Sequence, residues 1–117
     1  MFKKLIISLA LTAFIAPCAM SIDDYTIRQS TTYINDAVSA QRNAERYKRE
    51  AESHMRSVQS NRREASYYER RNDRRRADDY TRRAENYLDK YRTAVRRSAE
   101  YYQRAADAMN RAASVTR

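Results

Sequence analysis

The chain has 117 residues, with 24 Lys and Arg against 15 Asp and Glu, a formal net charge of +9, no glycine, one proline, one cysteine and one histidine. This length suits one domain, and the lack of glycine excludes glycine-rich phosphate loops. His54 falls in a helix seam and Cys18 in the N-terminal leader, so no nucleophile–histidine set and no structural zinc site is expected.

The leader reads MFKKLIISLALTAFIAPCAMS. Lys3 and Lys4 give a positive start, Leu5 to Ala16 is apolar apart from Ser8 and Thr12, and small residues follow. That is the layout of a bacterial secretory signal. A membrane-spanning helix needs about 20 apolar residues, and this run is shorter. Ala19-Met20-Ser21 puts small residues at the −3 and −1 positions, which predicts cleavage before Ile22 and a signal over residues 1–21. Cys18 invites a lipid anchor, but Pro17 stands where a lipobox has Gly, Ala or Ser, so anchoring is disfavoured. The expected location is the periplasm or the exterior.

Residues 22–117 then lack cysteine, proline and glycine, so disulfides are excluded and no strong helix breaker remains. Alanine, arginine, glutamate and glutamine favour helix. The expectation is a single all-α domain with helices over about 24–70 and 74–115. Aliphatic residues are few, and alanine with ten tyrosines supplies most of the apolar surface. Such a chain builds a thin seam rather than a thick core. Alanine lets helices approach, and tyrosine buries its ring while its hydroxyl stays near water.

In the first half, Ala37, Ala44, Ala51, Val58 and Ala65 recur every seven residues, with Ala40, Tyr47, His54 and Tyr68 as the partner row. In the second half one row is Ala77, Ala84, Tyr91, Ser98, Ala105 and Ala112, and the other is Tyr80, Tyr87, Ala94, Tyr101, Ala108 and Val115. This is a and d spacing. Leu88, Val95, Tyr102 and Met109 widen the apolar face beyond a two-stranded seam. Extending the first row reaches Asn72 and then Asp79, both polar. A two-residue phase shift rotates the face by about 200°. One straight helix would carry its seam on opposite sides. The repair is a turn at Asn72-Asp73, giving a long antiparallel helical hairpin, coiled-coil-like, with an Ala/Tyr seam and room for oligomers. A competing break lies at Gln59-Ser60-Asn61, where Asn61 and Glu64 match a capping box. A continuous rod is the third option.

Acid-first pairs four apart, such as Glu45–Arg49, Glu52–Arg56, Asp79–Arg83 and Asp107–Arg111, are expected to lace the surface. The charge is uneven. Residues 22–60 are balanced, whereas residues 61–76 hold seven arginines against three acids and residues 77–117 nine basic against six acidic. Arg62, Arg63, Arg70, Arg71, Arg74, Arg75 and Arg76 form the candidate basic patch, and arginine suits forked recognition of phosphate or carboxylate. The candidate interaction seam is Tyr80, Ala84, Tyr87, Tyr91, Tyr101 and Tyr102.

No catalytic, metal-binding or cofactor-binding residue is expected, no cofactor, and no small-molecule substrate. The reading that uses these features together is a non-enzymatic binding or scaffolding protein of the bacterial envelope. Its expected partner is an envelope protein, a second copy of itself, or an anionic lipid or lipopolysaccharide surface. One alternative is a secreted cationic membrane-active or toxic factor, although the faces lack the Leu, Phe and Trp of insertive helices. Another is a nucleic-acid-binding accessory of DNA transfer across the envelope, which the export signal disfavours.

Overall fold

The computed structural model describes residues 23–116. The proposed signal and its cleavage site lie outside the described residues. The chain is an all-α helical hairpin of two long helices, α1 (Asp24–Arg70) and α2 (Arg74–Val115).

Helix α1 starts on a side-chain cap. Asp23 Oδ1 accepts the Thr26 N–H at 2.7 Å, and its carbonyl accepts the Ile27 N–H at 3.1 Å. The side chain meets one of the amide donors a helix start leaves unpaired, and the carbonyl accepts the first intrahelical bond. Thr31 and Thr32, poor helix formers by propensity, turn their hydroxyls onto the Ile27 and Arg28 carbonyls at 2.8 and 3.0 Å. The helix runs through Asn61 without a break. Asn61 donates its side-chain amide to the Ser57 carbonyl at 2.8 Å, so it is satisfied inside the helix and does not cap a new one.

The chain turns at residues 71–73. Asn72 has φ of 60°, the left-handed region. The Asp73 N–H reaches back to the Tyr68 carbonyl at 2.9 Å, and the Asn72 N–H to the Glu69 carbonyl at 3.1 Å. This pair of bonds is a Schellman motif, with Asn72 in the place glycine usually holds. Asparagine tolerates that conformation better than most residues. Asp73 also opens α2: its carboxylate accepts the Arg76 N–H at 3.3 Å, and its carbonyl the Ala77 N–H at 3.1 Å. One residue therefore closes α1 and caps α2, which makes the corner two residues tight. A capping side chain is worth about 1 kcal/mol.

The buried residues fall on the expected rows. Along α1 they are Ala37, Ala44, Ala51, Val58 and Ala65, with Ser30 one heptad earlier at 0% exposure. Along α2 they are Ala77, Ala84, Ala94, Ser98, Ala108 and Ala112. Val58 is the largest side chain buried to this degree. Small side chains let paired helices pack near the lower end of the usual 8–10 Å spacing. The cost is a thin core, in which each alanine buries little apolar area.

The described residues divide into two compact units. One comprises residues up to Ala44 with those from Ala99 onward; the other is Glu45–Ser98, which contains the turn. In the second unit the partner-row side chains cross between helices. Tyr68 stacks on Tyr80 with ring centroids 5.6 Å apart and planes 8° off parallel. His54 lies against Tyr87, with centroids 6.1 Å apart.

Candidate functional site: the arginine-rich turn

Arginine and tyrosine are paired throughout the second unit and at Tyr101. Cations lie over rings in Arg46–Tyr47, Arg71–Tyr67, Arg76–Tyr68, Arg83–Tyr80, Lys90–Tyr87, Arg97–Tyr47 and Arg104–Tyr101, at 4.7 to 5.6 Å from the centroid. Such contacts occur roughly once per 70–80 residues in folded proteins. The density here marks the pairing as a building principle of the surface. A sequence signal for it exists: in four pairs the cation follows its tyrosine by three or four residues, one helical turn.

These contacts displace part of the expected ion pairing. Arg83 lies over Tyr80, and Asp79 bonds Arg82 instead, three residues on, at 2.9 Å. Asp73–Arg76 at 3.5 Å and Asp89–Arg92 at 3.7 Å are likewise three apart. All are exposed, so each contributes at most a few tenths of a kcal/mol.

The candidate patch separates into two groups. Arg62 and Arg63 are exposed but sit eight residues before Arg70 and Arg71, about 12 Å back along α1. Arg70, Arg71, Arg74, Arg75 and Arg76 gather around the turn, all exposed. Within this group Arg70 is held loosely, Nε to the Ser66 carbonyl at 3.4 Å. Arg71 covers the Tyr67 ring at 4.7 Å, and that ring is 42% exposed and edge-on to Tyr68. Arg76 is shared between the Tyr68 ring and Asp73. Among the described residues Arg74 and Arg75 have no hydrogen-bonding, ionic or ring partner for their guanidinium groups.

Placement sharpens the contrast. Helix α1 obeys the helix dipole at both ends, with Asp24 in its first turn and Arg70 in its last. Helix α2 opens with Arg74, Arg75 and Arg76 and has no acid in its first turn. Cations at a helix N-terminus oppose the dipole by about 0.3–1 kcal/mol each. The Asp73 carboxylate, as the N-cap, offsets part of this cost. Asp73 is engaged as cap and in its bond to Arg76, and Asp79 is engaged by Arg82. At the start of α2 the turn therefore holds positive charge where the helix dipole disfavours it, although Arg70 stands at the favourable end of α1.

The candidate seam is largely satisfied within the chain. Ala84 is buried, Tyr80 is stacked on Tyr68, and Tyr87 meets His54. Tyr91, Tyr101 and Tyr102 are half-buried. Two of the shallow grooves along the helices combine acidic and basic side chains. One, about 350 Å³, is lined by Tyr33, Asp36, Asn43, Tyr101, Arg104 and Asp107 among others. The other, about 270 Å³, includes Glu50, His54, Asp89, Lys90 and Arg97. Both are open and carry mixed charge. Among the described residues no group of three or more His, Cys, Asp or Glu is placed to hold a metal ion, and no helix is long and apolar enough to cross a membrane. Comparison with protein families, curated proteins and solved structures finds no match.

Proposed function

We propose that this is an exported, non-enzymatic binding or scaffolding protein of the bacterial cell envelope. Its seam holds two helices together, and its arginine-rich turn meets the partner. The observation that carries this reading is the set of unpartnered arginines at the start of α2. A chain that keeps charge against the helix dipole breaks a local rule without a local gain, and such places are commonly functional. The signal-like leader supplies the compartment. A second copy of the chain remains an alternative partner, through Leu88, Val95, Tyr102 and Met109; Val95 is 43% exposed.

The test is export and processing. The protein, expressed with its own leader, is recovered by osmotic shock or from the medium and its intact mass measured. A mass matching residues 22–117 is expected. Retention in the cytoplasm with the leader intact would remove the envelope reading.

A further inference from the structure

We infer that the turn is an end-on docking site for a membrane surface rich in anionic phospholipid, with the lipid phosphates as ligand. This rests on the envelope reading above and names the partner of that same site. Arg70, Arg71, Arg74, Arg75 and Arg76 all stand within seven consecutive residues around a two-residue corner. Arg74 and Arg75 keep their guanidinium groups unpaired, so phosphate oxygens meet no internal competitor. The guanidinium fork matches phosphate geometry. Tyr67 lies beside them, 42% exposed with Arg71 on its ring, an amphipathic side chain suited to headgroup depth.

The charge layout favours a surface over a nucleic acid. A linear polyanion is followed by a cationic stripe along its path. Here residues 22–60 hold six basic and six acidic residues and residues 77–117 nine basic and six acidic, so a strand laid along either helix would soon leave the densest positive region, the seven arginines against three acids of residues 61–76. Charge gathered at one corner fits a plane met by the tip. A basic residue close to an anionic leaflet strengthens binding by about fivefold.

The experiment is co-sedimentation of the purified protein, as processed by its host, with vesicles of phosphatidylcholine alone or mixed with phosphatidylglycerol. Binding is expected only with phosphatidylglycerol, and it should weaken as salt rises. Arg74→Gln with Arg75→Gln should reduce the partition coefficient about 25-fold. Arg42→Gln with Arg49→Gln, the same charge change in the balanced region, should alter it less than about threefold, since distance screens it. Equal binding to both vesicles, or none to either, overturns the inference. So does an equal loss in both double variants, which would mean net charge alone. Displacement from the vesicles by duplex DNA at equal phosphate concentration overturns it in favour of nucleic acid. None of these outcomes changes the mass that reports export, so the envelope reading stands or falls separately.

Discussion

Removing the two unpartnered arginines should make the protein more stable. In Arg74→Gln/Arg75→Gln the favourable change is the lost opposition to the α2 dipole, about 0.3–1 kcal/mol per residue and near the lower end for exposed side chains. Repulsion from Arg70, Arg71 and Arg76 also falls, by a few tenths. Against this stand the contacts Arg74 and Arg75 could make with Asp78 and Asp79, four residues on. Those pairs run cation first, the weaker order, and Asp79 is already bonded to Arg82 at 2.9 Å. Glutamine and arginine have nearly equal helix propensity, so the backbone preference cancels. The net is a gain of about 0.5–1 kcal/mol. For a domain of this size it should raise Tm by about 2–8 °C. The assay is thermal unfolding followed by far-ultraviolet circular dichroism at low salt and again at about 1 M, where the Debye length shrinks to about 3 Å. The gain should be largest at low salt and should fade at high salt. An unchanged or lowered Tm at low salt would refute the dipole argument. A gain that persists undiminished in high salt would show that its origin is not electrostatic.

The seam gives the opposite sign: Ala84, 3% exposed, cannot accept a charge, so Ala84→Asp should cost on the order of 3 kcal/mol or more and abolish most helicity by circular dichroism. Tyr87→Asp should also destabilise the fold through loss of the His54 and Lys90 contacts, whereas Arg74→Ala and Arg75→Ala should leave helicity intact. Ser30 is fully buried and its hydroxyl has no hydrogen-bond partner, so Ser30→Ala, which extends the alanine row, should stabilise by about 1 kcal/mol in urea unfolding. A loss there would reveal a bonded hydroxyl. Hydrogen bonds from the Thr26 backbone N–H, and then from its side chain, hold the Asp23 carboxyl below its ordinary value of 3.8. The cap should therefore be fully formed above that value and lost as pH falls through the lowered one, read as a shift of the Thr26 amide resonance during an acid titration. A Thr26 shift that titrates at or above the ordinary carboxylate value would contradict this cap.

Most of the fold was legible because small residues at strict heptad spacing leave little freedom. Ala37 to Ala65 and Ala77 to Ala112 cannot share one face of a straight helix, so the phase change required a corner between them. The choice between Asn61 and Asn72 was not fixed by residue type, since asparagine serves as cap, turn residue or helix interior. It was decided by side-chain bonding: Asn61 closes on Ser57, while Asn72 takes φ of 60° and lets Asp73 serve both helices. Ser30 was missed because a serine reads as surface, although it lies one heptad before Ala37. The Asp79–Arg83 pair gave way to a different contact. Spacing identifies which residues can meet, but an arginine can meet either a carboxylate or a tyrosine ring: Arg83 lies on Tyr80, and Asp79 bonds Arg82.

That choice divides the arginines by role. A guanidinium on a tyrosine face shields apolar ring surface and gives up some of its side-chain freedom, so Arg76 and Arg83 help to fix the Tyr68–Tyr80 stack at the corner. Arg74 and Arg75 have no ring and no acid, and they start a helix whose dipole opposes them. If solubility alone were needed, the same charge placed in the last turn of α2, where no basic residue stands, would stabilise the helix instead of straining it. Charge held at the unfavourable end is better accounted for by what it meets than by the fold it belongs to, and the paired readouts of Arg74→Gln/Arg75→Gln, stability up and vesicle binding down, are the signature that account requires.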